Sequence, residues 1–195
     1  MPGNSNNTDC IVTGMTQTPL GSMCIGATSE GICLAEFSNG RALEPEFDTL
    51  RRHFQCDIVP GSNGLLEQLR TELAKYFAGE LTQFQVPVVY PGSGFQQAVW
   101  DALRLIPYGE SLSYEALAHR LGRPKAVRAV GTANGQNRIA ILIPCHRVVN
   151  KNGQLGGYGG GLWRKKALLE LERGVARKGN LQLTLLGLNH PGTIR

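Results

Sequence analysis

No stretch of this chain approaches the roughly 20 consecutive apolar residues that a membrane-spanning helix requires. The opening residues, MPGNSNNTDC, lack the charged-then-apolar order of a secretory signal. The two absences point to an intracellular protein, cytoplasmic in a prokaryote and nuclear in a eukaryote, with no membrane partner. No CxxC pair occurs, and five cysteines (Cys10, Cys24, Cys33, Cys56 and Cys145) cannot all pair within one chain, which argues against a complete disulfide framework. Their spacing matches no zinc signature. His53 near Cys56 is the one local hint of a metal site, and neither metal nor cofactor is expected. Internal repeats and low-complexity segments are also absent, so a solenoid or fibrous architecture is not indicated.

What is present is an ordinary globular balance: 195 residues, 42% hydrophobic and 18% charged, enough for one well-packed domain or two small ones. The net charge of +5 is compatible with a phosphate-backbone partner. Arg120, Arg123, Lys125 and Arg128 crowd into nine residues, and Arg147, Lys151, Arg164, Lys165 and Lys166 follow.

A composition break at VPVVYPGSG (residues 86–94) reads as a linker. Before it, Leu20 to Phe37 reads as a β-hairpin turning at Ser29-Glu30-Gly31. A helix follows over about residues 65–77, with Leu66, Leu69, Leu73 and Phe77 at helical spacing and Gly79 as its stop. After the break helices dominate. Ser93 and Gln96 form a capping box for a helix that Pro107 stops. Ser113 caps a second helix that ends at Gly122, and Pro124 opens a third that runs to about Ala133. Two short helices joined by Gly-Arg-Pro suggest a helix-turn-helix. Ala126, Ala129 and Ala133 make a small-residue stripe on the third helix, suited to packing against a neighbour or to close approach of nucleic acid. Ile139 to Ile143 is an unbroken apolar run, read as a buried strand whose exit presents Cys145-His146-Arg147. A glycine-rich loop spans residues 153–161, and a last helix covers about residues 162–173.

A reactive cysteine must become a thiolate, and a Cys-His pair is a recurring activated nucleophile. Neighbours on an extended chain point to opposite sides. The His146 ring is therefore expected to reach the Cys145 sulfur through water, oriented by an acid on the last helix, Glu172 or Glu170.

With those residues in place, the run Ile143-Pro144-Cys145-His146-Arg147-Val148 resembles the active-site signature of the O6-alkylguanine-DNA alkyltransferases. Ser113-Tyr114, the run from Pro124 to Gly131, Asn137, and Gly156 to Leu162 recur in that family in the same order. The likeness is strong over residues 84–174 and weaker before, where Thr18-Pro19-Leu20-Gly21 resembles the family's first strand. It implies an α+β fold: a flexible tail (1–15), a small sheet-based, ribonuclease-H-like domain (16–88), a mainly helical alkyltransferase domain with the helix-turn-helix (92–176), and a C-terminal tail (177–195). The implied activity is a single, irreversible transfer of an alkyl group from O6-alkylguanine, and by extension O4-alkylthymine, in double-stranded DNA to Cys145. The implied protein is a monomer. Cys145 would accept the alkyl group, His146 would act as base through water, Glu172 would orient it, and Asn137 would brace the turn. Tyr114 would help rotate the nucleotide out of the stack and Arg128 would fill the gap. Ala126, Val127, Ala129, Gly131 and Arg147 are counted with them at the DNA surface. Val148, Tyr158 and Gly159 would line the guanine pocket with Cys145. Gly159 stands where many family members carry a serine, and the N-terminal cysteines do not reproduce the zinc ligands of some relatives.

Physical chemistry supports the assignment. Chemistry on a base in duplex DNA calls for its extrusion at a cost of a few kcal/mol, and a stacking arginine offsets part of that. The thioether product is not a leaving group for thiol exchange. Three other readings leave residues idle: a damage sensor would lack Cys145, a cysteine hydrolase would not need Arg128, and a transcription regulator would not need Cys145.

Overall fold

The computed structural model describes residues 10–38 and 43–185, a sheet-bearing first half followed by a helical second half. Three antiparallel strands open the chain: β1 (Ile11–Thr18), β2 (Gly21–Ala27) and β3 (Ile32–Phe37). The expected hairpin joins β2 to β3. Thr28 holds its turn, the hydroxyl accepting the N–H of Glu30 and of Gly31.

The tail expected over residues 1–15 does not reach that far. Ile11 is buried, and β1 pairs with β2 on one side and with β4 (Ile58–Pro60) on the other. Residues 1–9 lie outside the described residues. Thr18 to Gly21, likened to a first strand, is instead the turn between β1 and β2, with Gly21 at φ 106°. The sheet order is β3-β2-β1-β4.

Helix α1 (Glu44–Phe54) was not expected. Phe47, Leu50 and Phe54 lie on its inner face over the sheet, against Cys24, Cys33 and Leu34. Helix α2 (Gly64–Ala78) is capped by the Asn63 side chain, which accepts the Leu66 N–H, and closed by left-handed Gly79. Its buried face is Leu66, Leu69, Leu73 and Tyr76. Phe77, expected in that stripe, is only partly covered.

The stretch expected as a linker lies along the sheet. The Ile32 N–H donates to Pro87 O and the Val89 N–H to Ile32 O. Helix α3 (Gly94–Arg104) carries the complete Ser93/Gln96 capping box. After β5 (Leu112–Ser113), the Ser113 hydroxyl caps α4 (Tyr114–Arg120) by accepting the Ala116 N–H. Gly122 turns the chain at φ 66°. Pro124 opens a tight 3-10 turn, and the α-helix proper, α5 (Val127–Gly135), begins three residues later than expected. Trp100 Nε1 donates to Ala133 O at 2.8 Å, fastening α3 to α5.

The strand expected over residues 139–143 does not form. The run makes one bridge to β3, Ile141 then turns it in the left-handed region at φ 74°, and all five residues are buried. An unbroken apolar run signals burial without fixing extension. Strand β6 (Val148–Val149) pairs in parallel with β5. Helix α6 (Leu162–Leu185) passes well beyond Arg173 into the segment expected as a tail, and residues 186–195 lie outside the described residues.

One core cluster joins Met23 and Ile25 of the sheet to Leu69 of α2 and to Trp100, Ile143 and Leu168 of the second half. The two halves thus share a core. Among the described residues no helix is long and apolar enough to cross a membrane.

Candidate active site

Cys145 sits in a 3-10 turn, Cys145–Arg147, where a strand exit was expected. Asn137, just past the end of α5, builds the turn. Its Oδ1 accepts the Ile139 N–H at 3.0 Å, and its Nδ2 donates to Ile143 O at 2.8 Å and lies 3.1 Å from Cys145 Sγ. Burial pushes the Cys145 thiol up to about 11, against the opposing pull of the Asn137 amide and the Lys165 ammonium. The resting group at neutral pH is therefore a thiol. Among the described residues no hydrogen bond joins it to His146.

His146 is wholly buried. Its Nε2 lies 2.8 Å from Glu172 Oε1, and its covered Nδ1 has no protein partner among the described residues. A carboxylate only accepts, so Nε2 carries the proton and Nδ1 the lone pair. Burial lowers the His146 pKa, with Glu172 opposing, which leaves the ring neutral at pH 7.

Glu172 gathers five donors: Tyr76 Oη (2.8 Å), His146 Nε2, Gly109 N (3.2 Å), and Arg147 Nε and Nη2 (2.9 and 3.0 Å). Burial alone would raise its pKa. The bonds from His146 and Arg147 outweigh burial and hold it at about 2. With His146 neutral, the charge that keeps this carboxylate ionised is that of Arg147. Glu170, the rival acid, stands at the surface 3.8 Å from Lys166.

Arg147 corrects an expectation. Counted with the DNA-contacting residues, it is instead 7% exposed behind the site, its Nη1 donating to Ile106 O at 2.6 Å. A rigid guanidinium fork beside a buried carboxylate is drawn inward by two parallel charge-assisted bonds.

A cavity of about 20 Å³ lies over Cys145, walled by Asn137, Phe37, Tyr158, Gly159 and Gly160. It has room for about one water-sized group. Val148, expected in this wall, is absent from it. Val148 is wholly buried, paired with Leu112 across β5 and β6. Two cations pin the glycine loop that closes the cavity. Lys165 is wholly buried and donates to Gly156 O and Gly157 O, both at 3.3 Å, and burial brings it down to about 8 against the pull of Cys145. Arg164 lies between the Phe37 and Trp163 rings and donates to Gly160 O and Leu20 O, both at 2.7 Å. In the sequence both stand out only as members of a run of basic residues.

Tyr114, at the start of α4, packs so close to Gly156 that a Cβ there would stand 2.8 Å from its hydroxyl. With Val127, Arg128 and Gly131 of the helix-turn-helix it lines an open groove of about 480 Å³. Arg128 and Ala129 are exposed and Ala126 is half-buried, but Ala133 turns into the core, so the expected alanine stripe is not one surface. Sequence reading also missed Tyr76, whose only signal was helical core spacing, and Phe37, which carried none. Among the described residues no three His, Cys, Asp or Glu side chains gather as metal ligands would.

Residues 94–174 match the family described as 6-O-methylguanine DNA methyltransferase, DNA binding domain, and residues 11–90 match 6-O-methylguanine DNA methyltransferase, ribonuclease-like domain. The methylated-DNA–protein-cysteine methyltransferase of Mycobacterium tuberculosis (strain ATCC 25618 / H37Rv) is 51% identical over 140 residues, 71% of this chain and 81% of the relative. The inducible methylated-DNA–protein-cysteine methyltransferase of Bacillus subtilis (strain 168) is 42% identical over 149 residues, 76% of this chain and 83% of the relative. The crystal structure of Mycobacterium tuberculosis OGT in complex with DNA superposes with a TM-score of 0.72 at 40% identity, covering 85% of this chain and 94% of that one.

Proposed function

Because this chain belongs to the 6-O-methylguanine DNA methyltransferase family, we propose that it repairs O6-alkylguanine in duplex DNA by moving the alkyl group to its own Cys145, once per molecule. The observation that carries this reading is a buried thiol hydrogen-bonded by Asn137, beside a neutral imidazole that Glu172 and Arg147 hold in one tautomer.

The thiol proton passes through a water to His146 Nδ1, leaving a thiolate. The sulfur attacks the alkyl carbon, the S–C bond forms, and the C–O6 bond breaks. Its electron pair passes into the guanine, and the proton that His146 took from the thiol is passed on through water to neutralise it. Arg128 and Tyr114 border the groove where the duplex would lie, and Tyr158 and Gly159 would face the extruded base. Cysteines that form no disulfide among the described residues fit the reducing interior of a cell, where such DNA is found.

The test is intact mass and peptide mapping after mixing with duplex DNA containing O6-methylguanine. One methyl per chain, on Cys145 and absent from Cys145→Ser, is the expected result. Binding without a mass change would point to a damage sensor instead.

Gly159 bears on the choice of adduct. A Cβ there meets nothing within 4 Å, so Gly159→Ser adds a hydroxyl to the cavity mouth without a clash. The benzyl-to-methyl rate ratio should fall about tenfold, the lower end of what one small group does in a pocket. An unchanged ratio of single-turnover rates would rule this out.

A further inference from the structure

We infer that Tyr76, on α2 in the sheet-bearing half, is a positioning residue for the alkyl transfer: its hydroxyl hydrogen bond to Glu172 sets how tightly His146 holds a proton. This rests on the proposed function above. Among the described residues the first half of the chain supplies no other hydrogen bond to the Cys145–His146–Glu172 group, yet Tyr76 Oη reaches across 96 positions to Glu172 Oε1 at 2.8 Å. That oxygen is the one His146 Nε2 uses.

Tyr76 is wholly buried and sits edge-on to Phe77 and Tyr108 and tilted against Phe84. The ring is thus held by packing and the hydroxyl is aimed by it. Burial first, and then the Glu172 charge, raise the Tyr76 pKa well above its ordinary value, so it remains a neutral donor wherever the protein works.

Each donor that a carboxylate accepts spreads its negative charge and weakens its pull on the remaining partners. Without the Tyr76 donor, Oε1 concentrates its charge on the His146 N–H, and the imidazolium formed when His146 takes the Cys145 proton becomes more stable. The other groups facing this pair among the described residues are Arg147, which donates to both Glu172 oxygens, the Gly109 N–H on Oε2, the Tyr108 and Tyr158 phenols, and Lys165, which with Arg147 opposes protonation of the ring. Tyr76 is the neutral hydroxyl among them that shares the histidine's oxygen. A hydrogen-bond donor from the first half therefore sets the strength of a base in the second.

Tyr76→Phe keeps the ring and removes the bond. Placing 3,5-difluorotyrosine at position 76 keeps the bond and strengthens the donor. Single-turnover rates of methyl transfer from O6-methylguanine duplex would be measured against pH, scaled to the fraction of molecules that accept a methyl. The Tyr76→Phe acid limb should move to higher pH by about half a unit or more, the scale set by one hydrogen bond to a charged group. The difluorotyrosine limb should move to lower pH. Titration of the His146 imidazole by NMR should show the same two opposite shifts, with or without DNA, so it reads the inference even if the protein transfers nothing. If wild type fails to transfer, the proposed function is wrong. If wild type transfers and the limbs and the imidazole titrations of both variants coincide with its own, Tyr76 is merely a core residue. Should Tyr76→Phe not fold, the difluorotyrosine shift alone decides.

Discussion

Glu172→Gln should slow methyl transfer by about 100-fold or more, the scale seen when the orienting acid of a catalytic histidine is replaced. It should also lower the melting temperature by about 10 °C, given about 2–4 °C per kcal/mol for a chain of this size. Both effects come from one oxygen becoming an NH2. Glu172 receives five donors and offers none. A glutamine amide brings two more donors into a shell of donors and removes the charge that balances Arg147. Breaking a buried ion pair from one side costs about 3–5 kcal/mol, against a total stability of about 5–15 kcal/mol. A glutamine oxygen still facing His146 leaves the ring without a negative partner when it takes the thiol proton, so the loss of rate outlasts any rescue of the fold by low temperature.

The same carboxylate makes stability depend on acid. Its folded pKa is held at about 2, below the ordinary 4.5. The stabilisation is complete above the ordinary value and is lost as pH falls from there through the folded one. A depression of that size corresponds to about 3 kcal/mol. Wild type should therefore lose stability steeply between pH 5 and pH 2, by urea midpoint, and Glu172→Gln should lose markedly less over that window. Parallel curves for the two proteins would mean that Glu172 carries no such depression in solution.

Much of this site was legible in the sequence, and what was not has physical causes. The capping signals at Ser93/Gln96 and Ser113 are local chemistry, satisfied within three residues, so they place α3 and α4 correctly. Glu172 and Glu170 could not be separated by pattern alone. Only the packing of α6 decides which of two nearby glutamates turns inward. Ile139 to Ile143 is as apolar as a strand, but Ile141 turns the chain there, and no residue type signals a left-handed isoleucine. Arg147 was counted at the DNA surface and Lys165 carried no signal beyond its basic neighbours, because buried cations are rare. Their burial depends on glycine carbonyls and on a carboxylate supplied from elsewhere in the fold. Helix α1 was missed although Phe47, Leu50 and Phe54 lie at helical spacing, because eight of its eleven residues are polar, charged or proline.

Asn137→Asp should be more damaging than Asn137→Ala, although it is the closer match in shape. Asn137 uses both ends of its amide. The oxygen accepts the Ile139 N–H, and the nitrogen serves the Ile143 carbonyl and the Cys145 sulfur. Alanine deletes these bonds and leaves a small void beside a buried acceptor, at a cost of about 1–3 kcal/mol for each group left unpaired. Aspartate keeps the oxygen but sets a second acceptor against a carbonyl and a sulfur that both require a donor. If ionised it is an unpaired buried charge, and if protonated its one O–H satisfies one of the two. The effect on chemistry follows from the thiol. Burial already pushes Cys145 up to about 11, and the Asn137 amide is the first group opposing this. Alanine removes that opposition and an aspartate anion reverses it, so the thiolate becomes harder to form at the moment of attack. Transfer should fall about tenfold to 100-fold in Asn137→Ala, about one charge-assisted hydrogen bond's worth, and further in Asn137→Asp. In both variants the rate should climb with alkaline pH over a range where wild type is level. Single-turnover rates from pH 6 to 10, with folding checked by circular dichroism, read this directly. Equal rates in Asn137→Asp and wild type would mean that the amide braces the turn without acting on the sulfur.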